Sequence, residues 1–200
     1  MPRLLLATNN AGKVAEFRQL LDGCGWELVT PAELGFSLEI EESGQTYAEN
    51  ATMKALAYAK AGGLTALADD SGLEVDALDG RPGALSARYA GPNRTDAERV
   101  QALLHELADV PDERRGARFR AVIAIAQPSG RVELAEGAVE GRIARAPRGD
   151  GGFGYDPVFL LPGRGLTAAE LPPEEKHAVS HRGAAARNAR VILERLLHEA

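Results

Sequence analysis

Two hundred residues, 44% hydrophobic and 26% charged, describe an ordinary globular chain long enough to bury its own core. The net charge of −6 argues against a general DNA- or RNA-binding surface, though not against a small phosphorylated ligand held in a local basic site. One cysteine, Cys24, excludes an internal disulfide and a multi-cysteine zinc site, and fits a reducing cytoplasm.

The apolar run Leu4 to Ala7 is too short for a signal peptide, and no segment approaches the ~20 apolar residues of a membrane span. No membrane partner is expected. The basic residues are 19 arginines and only 4 lysines. Each lysine, a compact point charge on a flexible stem, is therefore worth following.

Arg3 to Thr8 reads as a first strand. It enters the loop Thr8-Asn9-Asn10-Ala11-Gly12-Lys13, and Val14, Phe17, Leu20 and Leu21 then recur at helical spacing. A strand, a polar loop with Gly and Lys, and a helix N-terminus make a plausible phosphate cradle. The Walker pattern is missing, and an ordinary turn with a solvated lysine is the competing reading. Trp26 to Thr30 is a second strand. Glu39, Glu41 and Glu42 form an acidic loop, the kind that is usually just solvated. Thr46 and Glu49 form a capping box for a helix that runs to about Ala61 and stops at Gly62-Gly63. Its small face, Ala51, Ala55 and Ala59, suits close packing on a sheet. Asn50 and Lys54 lie one turn apart on one side of it.

Leu64 to Ala68 reads as a short buried strand that delivers Asp69, Asp70, Ser71 and Gly72 to its C-terminal end. That end is where open α/β sheets bind ligands. Adjacent carboxylates repel each other, and a divalent cation with oxygen ligands, such as Mg²⁺, would relieve them. A solvated turn is the alternative. Glu74 and Asp76 alternate with Leu73, Val75 and Ala77, as a solvated strand face would. The Gly/Pro-rich segment from Asp79 to Asn93 is too long for a simple turn. Thr95 and Glu98 form a second capping box, followed by Val100, Leu103, Leu104 and Leu107 on one helical face. Ala117 to Gln127 reads as a central strand, Pro128-Ser129-Gly130 as a turn, and Arg131 to Ile143 as an antiparallel partner. The order β-α-β-α-β followed by a hairpin implies a mixed sheet.

The glycine-rich stretch Arg148 to Pro157 surrounds Phe153 and Tyr155, which suits a binding loop with a stacking ring better than a linker. Val158 to Leu161 is a short strand, and Leu171 to Lys176 a rigid lead-in. Ser180 caps a last helix with His181 and Arg182 in its first turn. Cations sit poorly beside the positive end of a helix dipole, so these two are expected to face something negative or polar.

Four stretches together, Thr8-Asn9-Asn10 with Lys13, Ala68 to Leu73 with Pro82-Gly83 and Ser86-Ala87-Arg88, Phe153 to Pro157, and Ser180-His181-Arg182, resemble the Ham1/RdgB family of inosine triphosphate pyrophosphatases. The resemblance covers essentially the whole chain; Asn9 stands where some members carry glycine. It implies an α/β fold with a mixed twisted sheet flanked by helices. It implies a single elongated domain over residues 1–200, with two lobes around a central cleft, and a cytoplasmic homodimer. The implied activity is Mg²⁺-dependent hydrolysis of ITP, dITP and XTP to the monophosphate and pyrophosphate. Thr8, Asn9, Asn10, Ala11, Gly12 and Lys13 would contact the triphosphate. Glu41 and Asp70 would hold Mg²⁺, Asp70 would act as base, and Ser71 would touch substrate. Phe153, Gly154, Tyr155, Asp156, Lys176, His181 and Arg182 would form the nucleoside side. Alternatives are a Maf-like pyrophosphatase for other nucleotides and a non-catalytic nucleotide sensor.

Overall fold

A computed structural model describes residues 1–199. Six strands form one sheet in the order β2-β1-β3-β4-β5-β6. They are β1 (Arg3–Leu6), β2 (Glu27–Val29), β3 (Thr65–Val75), β4 (Gly116–Ala126), β5 (Val132–Ile143) and β6 (Phe159–Leu160). β1 pairs parallel to β2 and to β3, whereas β5 and β6 are antiparallel, so the sheet is mixed as expected. The helices are α1 (Ala11–Leu20), α2 (Tyr47–Gly62), α3 (Asp96–Glu106), α4 (Pro173–Val179) and α5 (His181–Glu199). Among the described residues no helix is long and apolar enough to cross a membrane.

Both anticipated capping boxes are present, Thr46 with Glu49 on α2 and Thr95 with Glu98 on α3. Each satisfies backbone N–H groups that a helix start leaves without intrahelical partners. Gly63 ends α2 in the left-handed conformation, at φ 62°, where glycine carries no Cβ penalty.

Two sequence expectations are corrected. β3 does not stop at Ala68; it continues through Asp69, Asp70, Ser71 and Gly72 to Val75. Those residues favour turns, but Leu73 and Val75 are fully buried, and their burial carries the extended backbone onward. The segment read as a rigid lead-in is the short helix α4, with Pro173 in its first turn, where a missing N–H costs nothing.

The chain forms two compact units. The first comprises Met1–Asp70, Ala121–Gly137 and the chain from Arg182 onward. Its core joins Leu4, Leu6 and Leu67 of the sheet to Phe17 of α1 and to Ala185, Ala189 and Leu193 of α5. The second comprises Ser71–Arg120 and Ala138–His181, and its core gathers Leu73, Val75, Leu103, Phe119, Ile143, Val158 and Phe159.

Arg115, in the second unit, is a structural cation that sequence patterning does not reveal. It is 2% exposed and donates to Leu107 O at 2.6 Å, Ile143 O at 2.9 Å and Ala144 O at 3.0 Å. It thus caps the C-terminal end of α3, where cations are favoured, and ties that end to the end of β5. Arg115→Met keeps the apolar stem but strands those buried carbonyls. Urea unfolding should show a loss of roughly 2–4 kcal/mol.

Candidate functional site

In a strand, successive side chains point to opposite faces. Leu67 packs with α1 and α5, so Asp69, two residues on, faces the same way. Asp70 faces α2 instead. The strand geometry thus separates two adjacent acids whose mutual repulsion a divalent cation was expected to relieve.

Asp69 meets cations. Lys13 Nζ lies 3.0 Å from its Oδ1 and Arg182 Nε lies 3.2 Å from its Oδ2. Arg182 also reaches Glu16 Oε2 at 3.3 Å. Burial raises the Asp69 carboxyl, but the charges of Lys13, Arg182 and Lys54 outweigh it and hold the group well below the usual carboxylate range. Lys13 moves down as well. Its own burial, reinforced by Arg182 and Lys54, exceeds the pull of Asp69. The two shifts describe one crowded group in which the carboxylate is compensated better than the lysine.

Asp70 has a different environment. It is 5% exposed and accepts from Asn50 Nδ2 at 3.0 Å, while Lys54 Nζ stands 4.0 Å from its Oδ1. Burial raises its pKa; Lys54 and Asn50 oppose, and Glu42 adds to the rise. Asn50 Oδ1 accepts from Gly44 N at 2.9 Å, which directs its amide nitrogen at Asp70. Gly44 is required there, since a Cβ would lie 2.6 Å from that oxygen. Lys54 Nζ also donates to Glu42 Oε1 and to Asp69 O, both at 2.7 Å. Its burial is outweighed by Asp69 and Glu42, and its pKa rises.

The loop before α1 folds as a helix start. Asn10 is the N-cap, accepting from Lys13 N at 3.0 Å, and Thr8 Oγ1 accepts from Asn10 N at 3.1 Å. Ala11, Gly12 and Lys13 form the first turn, where the Lys13 N–H is taken by the cap and the helix start carries its positive potential. Asn9 is exposed, with Nδ2 3.4 Å from Leu38 O. Of the acidic loop, Glu41 is exposed and Glu42 is the residue drawn to Lys54. Lys54 and Glu42 are members of the cluster that sequence reasoning passed over; the shared helix face of Asn50 and Lys54 was the available signal.

The second unit holds a separate polar group. Lys176 and Asp156 form a buried ion pair at 2.8 Å, and Asp156 Oδ2 also accepts from Phe153 N at 2.9 Å. Lys176 Nζ stands 5.1 Å from the centroid of the Phe153 ring, a cation–π distance. A Cβ on Gly152 would collide with the Asp156 carboxylate, so only glycine allows this turn. Tyr155 is buried and donates to Ser86 O at 2.9 Å, which makes it a strut. His181 stacks on Phe119, with ring centroids 4.7 Å apart and planes 17° from parallel. A narrow cavity of about 10 Å³ is lined by Phe119, Asp156, Phe159, Lys176, Ser180 and His181. Ser71 lies in β3 and is half-buried.

A mixed sheet with a buried carboxylate beside lysines and a helix N-terminus is the architecture of a phosphate-handling α/β protein. The comparisons narrow that class. The Ham1 family model matches residues 4–191, and the chain belongs to this family. The dITP/XTP pyrophosphatase of Desulforamulus reducens is 53% identical over 97% of this chain and 96% of its own. That of Methylococcus capsulatus is 54% identical over 92% of each. The solved HAM1 protein of Coxiella burnetii superposes with a TM-score of 0.88 at 45% identity, over the whole of both chains. The family resemblance carried by the four motifs is borne out.

Asp69→Asn removes the buried counter-charge of Lys13 and Arg182 and should cost about 3–5 kcal/mol at pH 7. The folded Asp69 carboxyl lies below its unfolded value, so its contribution is complete above about pH 4 and fades as the pH falls further. Urea titrations of both proteins should therefore differ most at pH 7 and by about 1 kcal/mol less at pH 3, the gap closing only in still stronger acid. An equal gap at both pH values would contradict this account.

Proposed function

We infer that this chain hydrolyses non-standard purine nucleoside triphosphates, ITP, dITP and XTP, to the nucleoside monophosphate and pyrophosphate. It is an acid-anhydride hydrolase. The observation that carries the reading is the division of the acid pair. Asp69 is neutralised by Lys13 and Arg182, while Asp70 is left with an elevated proton affinity beside Lys54. A sensor would bind phosphate with the cations alone and has no need of a buried acceptor in this state.

The first unit supplies the phosphate chemistry. The α1 N-terminus and Lys13 suit the triphosphate oxygens, with Thr8 and Asn10 holding the turn that presents them. Asp70 accepts a proton from the attacking water as its oxygen bonds to phosphorus. The anhydride bond between the α- and β-phosphates breaks, and its electron pair leaves with pyrophosphate. Asn50 fixes the Asp70 carboxylate, and Lys54 steadies the charge around it.

The donor set also suits Mg²⁺. Asp70 is a buried oxygen donor on β3, and Glu42 and Glu41 lie on the acidic loop that reaches Lys54. Among the described residues no group of three acidic, His or Cys side chains stands ready for a metal. Mg²⁺ commonly takes one or two carboxylates and completes its shell with water and substrate phosphate, so Asp70 with Glu41 would hold it here. When bound it would supply charge neutralisation at the phosphate oxygens.

The second unit supplies the base chemistry. Hypoxanthine and xanthine offer an O6 acceptor and an N1–H donor, the reverse of adenine. Lys176 and His181 carry donors suited to O6, Asp156 an acceptor, and Phe153 a face for stacking. Arg182, whose guanidinium is engaged by Asp69 and Glu16, belongs with the cations of the first unit. A cytoplasmic homodimer is part of the proposal, the dimer being open to light scattering.

Pyrophosphate release with Mg²⁺ should favour ITP, XTP and dITP over ATP by about 100-fold or more in kcat/KM. Equal rates on ATP and ITP would sink the substrate assignment, and a preference for other nucleotides would favour the Maf-like alternative. Asp70→Asn should lower kcat by about 10²- to 10⁴-fold while ITP still binds by calorimetry. Near-normal turnover would remove Asp70 as the base.

A further inference from the structure

The glycine-rich loop carrying Phe153 is gripped from a distance of 58 residues. Gly154 N donates to Asp96 Oδ2 at 2.7 Å. Asp96 is the first residue of α3, inside the capping box of Thr95 and Glu98, so its backbone is fixed by the helix start. Arg99 Nη2 donates to the other carboxylate oxygen at 2.7 Å and sets its rotation. Arg99 is itself held by Arg94 O at 2.6 Å and Ala87 O at 3.0 Å. The carboxylate is therefore a fixed acceptor on a fixed element.

The loop needs one. Gly152 and Gly154 adopt φ of 70° and 64°, and glycine backbones move readily among many conformations. On one side Phe153 N is pinned by Asp156; on the other the Tyr155 hydroxyl is pinned by Ser86 O. The Gly154 amide between them is held by Asp96. The cap of α3 is complete without Asp96, because Thr95 and Glu98 satisfy it reciprocally. The Asp96 side chain is 46% exposed, so core packing does not account for it.

We propose that Asp96 is a positioning residue for base recognition: by clamping the Gly154 amide it fixes the Phe153 ring in the orientation on which the purine stacks. The proposal rests on the reading of Phe153 as the stacking ring. It assigns a role in substrate affinity to the Thr95-Asp96 step, which by sequence is only a helix start. A loop fixed before binding loses less freedom when the base arrives, so the gain appears as affinity.

The test compares Asp96→Ala, Asp96→Asn, Phe153→Ala and the Asp96→Ala/Phe153→Ala double variant, each checked by thermal melting. With ITP, Asp96→Ala should raise KM about 10-fold and leave kcat within about twofold, since stacking is shared by ground and transition states. Asp96→Asn keeps one acceptor oxygen for the two donors, Gly154 N and Arg99 Nη2, so its KM should fall between those of the unaltered protein and Asp96→Ala. In the Phe153→Ala background, Asp96→Ala should add less than about twofold, because the two act through one ring. Inhibition by inorganic tripolyphosphate, which engages only the phosphate side, should be unchanged. An unaltered KM in Asp96→Ala, a full additional loss in the double variant, no rescue by Asn, or a parallel loss of tripolyphosphate binding would each overturn the proposal. If Phe153→Ala itself leaves KM unchanged, the stacking reading falls and the proposal with it. If Phe153→Ala raises KM while Asp96→Ala is silent, only the role of Asp96 falls.

Discussion

The alternation of side chains along β3 is the constraint on which the site depends. Because neighbouring residues of a strand face opposite ways, the Asp69-Asp70 step gives two acids two environments. Asp69 is delivered to Lys13 and Arg182, Asp70 to Asn50. Had the chain turned at Ala68, as the local propensities of Asp, Ser and Gly favour, both carboxylates would have shared one solvated corner. Burial of Leu73 and Val75 further along the strand prevents that.

The charges around β3 are arranged by need. Bringing a carboxylate out of water is expensive unless it is paired. Asp69 has two close cations, and its proton affinity falls. Asp70 has a neutral amide and a lysine at 4.0 Å, and its proton affinity rises. The same residue type is held ionised in one position and has its proton affinity raised in the next. Lys54 stabilises both without closing on Asp70, since its Nζ is satisfied by Glu42 and by the backbone carbonyl of Asp69.

The second unit solves a different problem, the control of a flexible loop. Glycines at 152 and 154 permit a turn that no side chain could make beside the Asp156 carboxylate. The freedom they bring is removed by polar contacts from Asp156, Ser86 and Asp96. The Asp156–Lys176 pair is buried yet well satisfied, because the carboxylate also accepts from Phe153 N and the ammonium lies over the Phe153 ring. Such a pair is better suited to specifying geometry than to adding stability.

Much of this was legible in the chain itself. Helix starts are local chemistry, and both capping boxes, the mixed βα order and the four family motifs could be read without any contact map. The sequence, with the family resemblance its motifs carry, singled out Lys13, Asp70, Phe153, Lys176 and His181 as candidates. What it could not decide was set by partners distant along the chain. Only the tertiary structure carried β3 past Asp70, drew Glu42 rather than its neighbour Glu41 to Lys54, engaged Arg182 with Asp69 and Glu16, and buried Arg115 among carbonyls. The reason is physical. Capping and periodicity depend on residues three or four apart. The burial and pairing of a charge depend on groups far along the chain, such as Glu16 and Arg182, 166 positions apart, which come together only when the sheet and helices have packed.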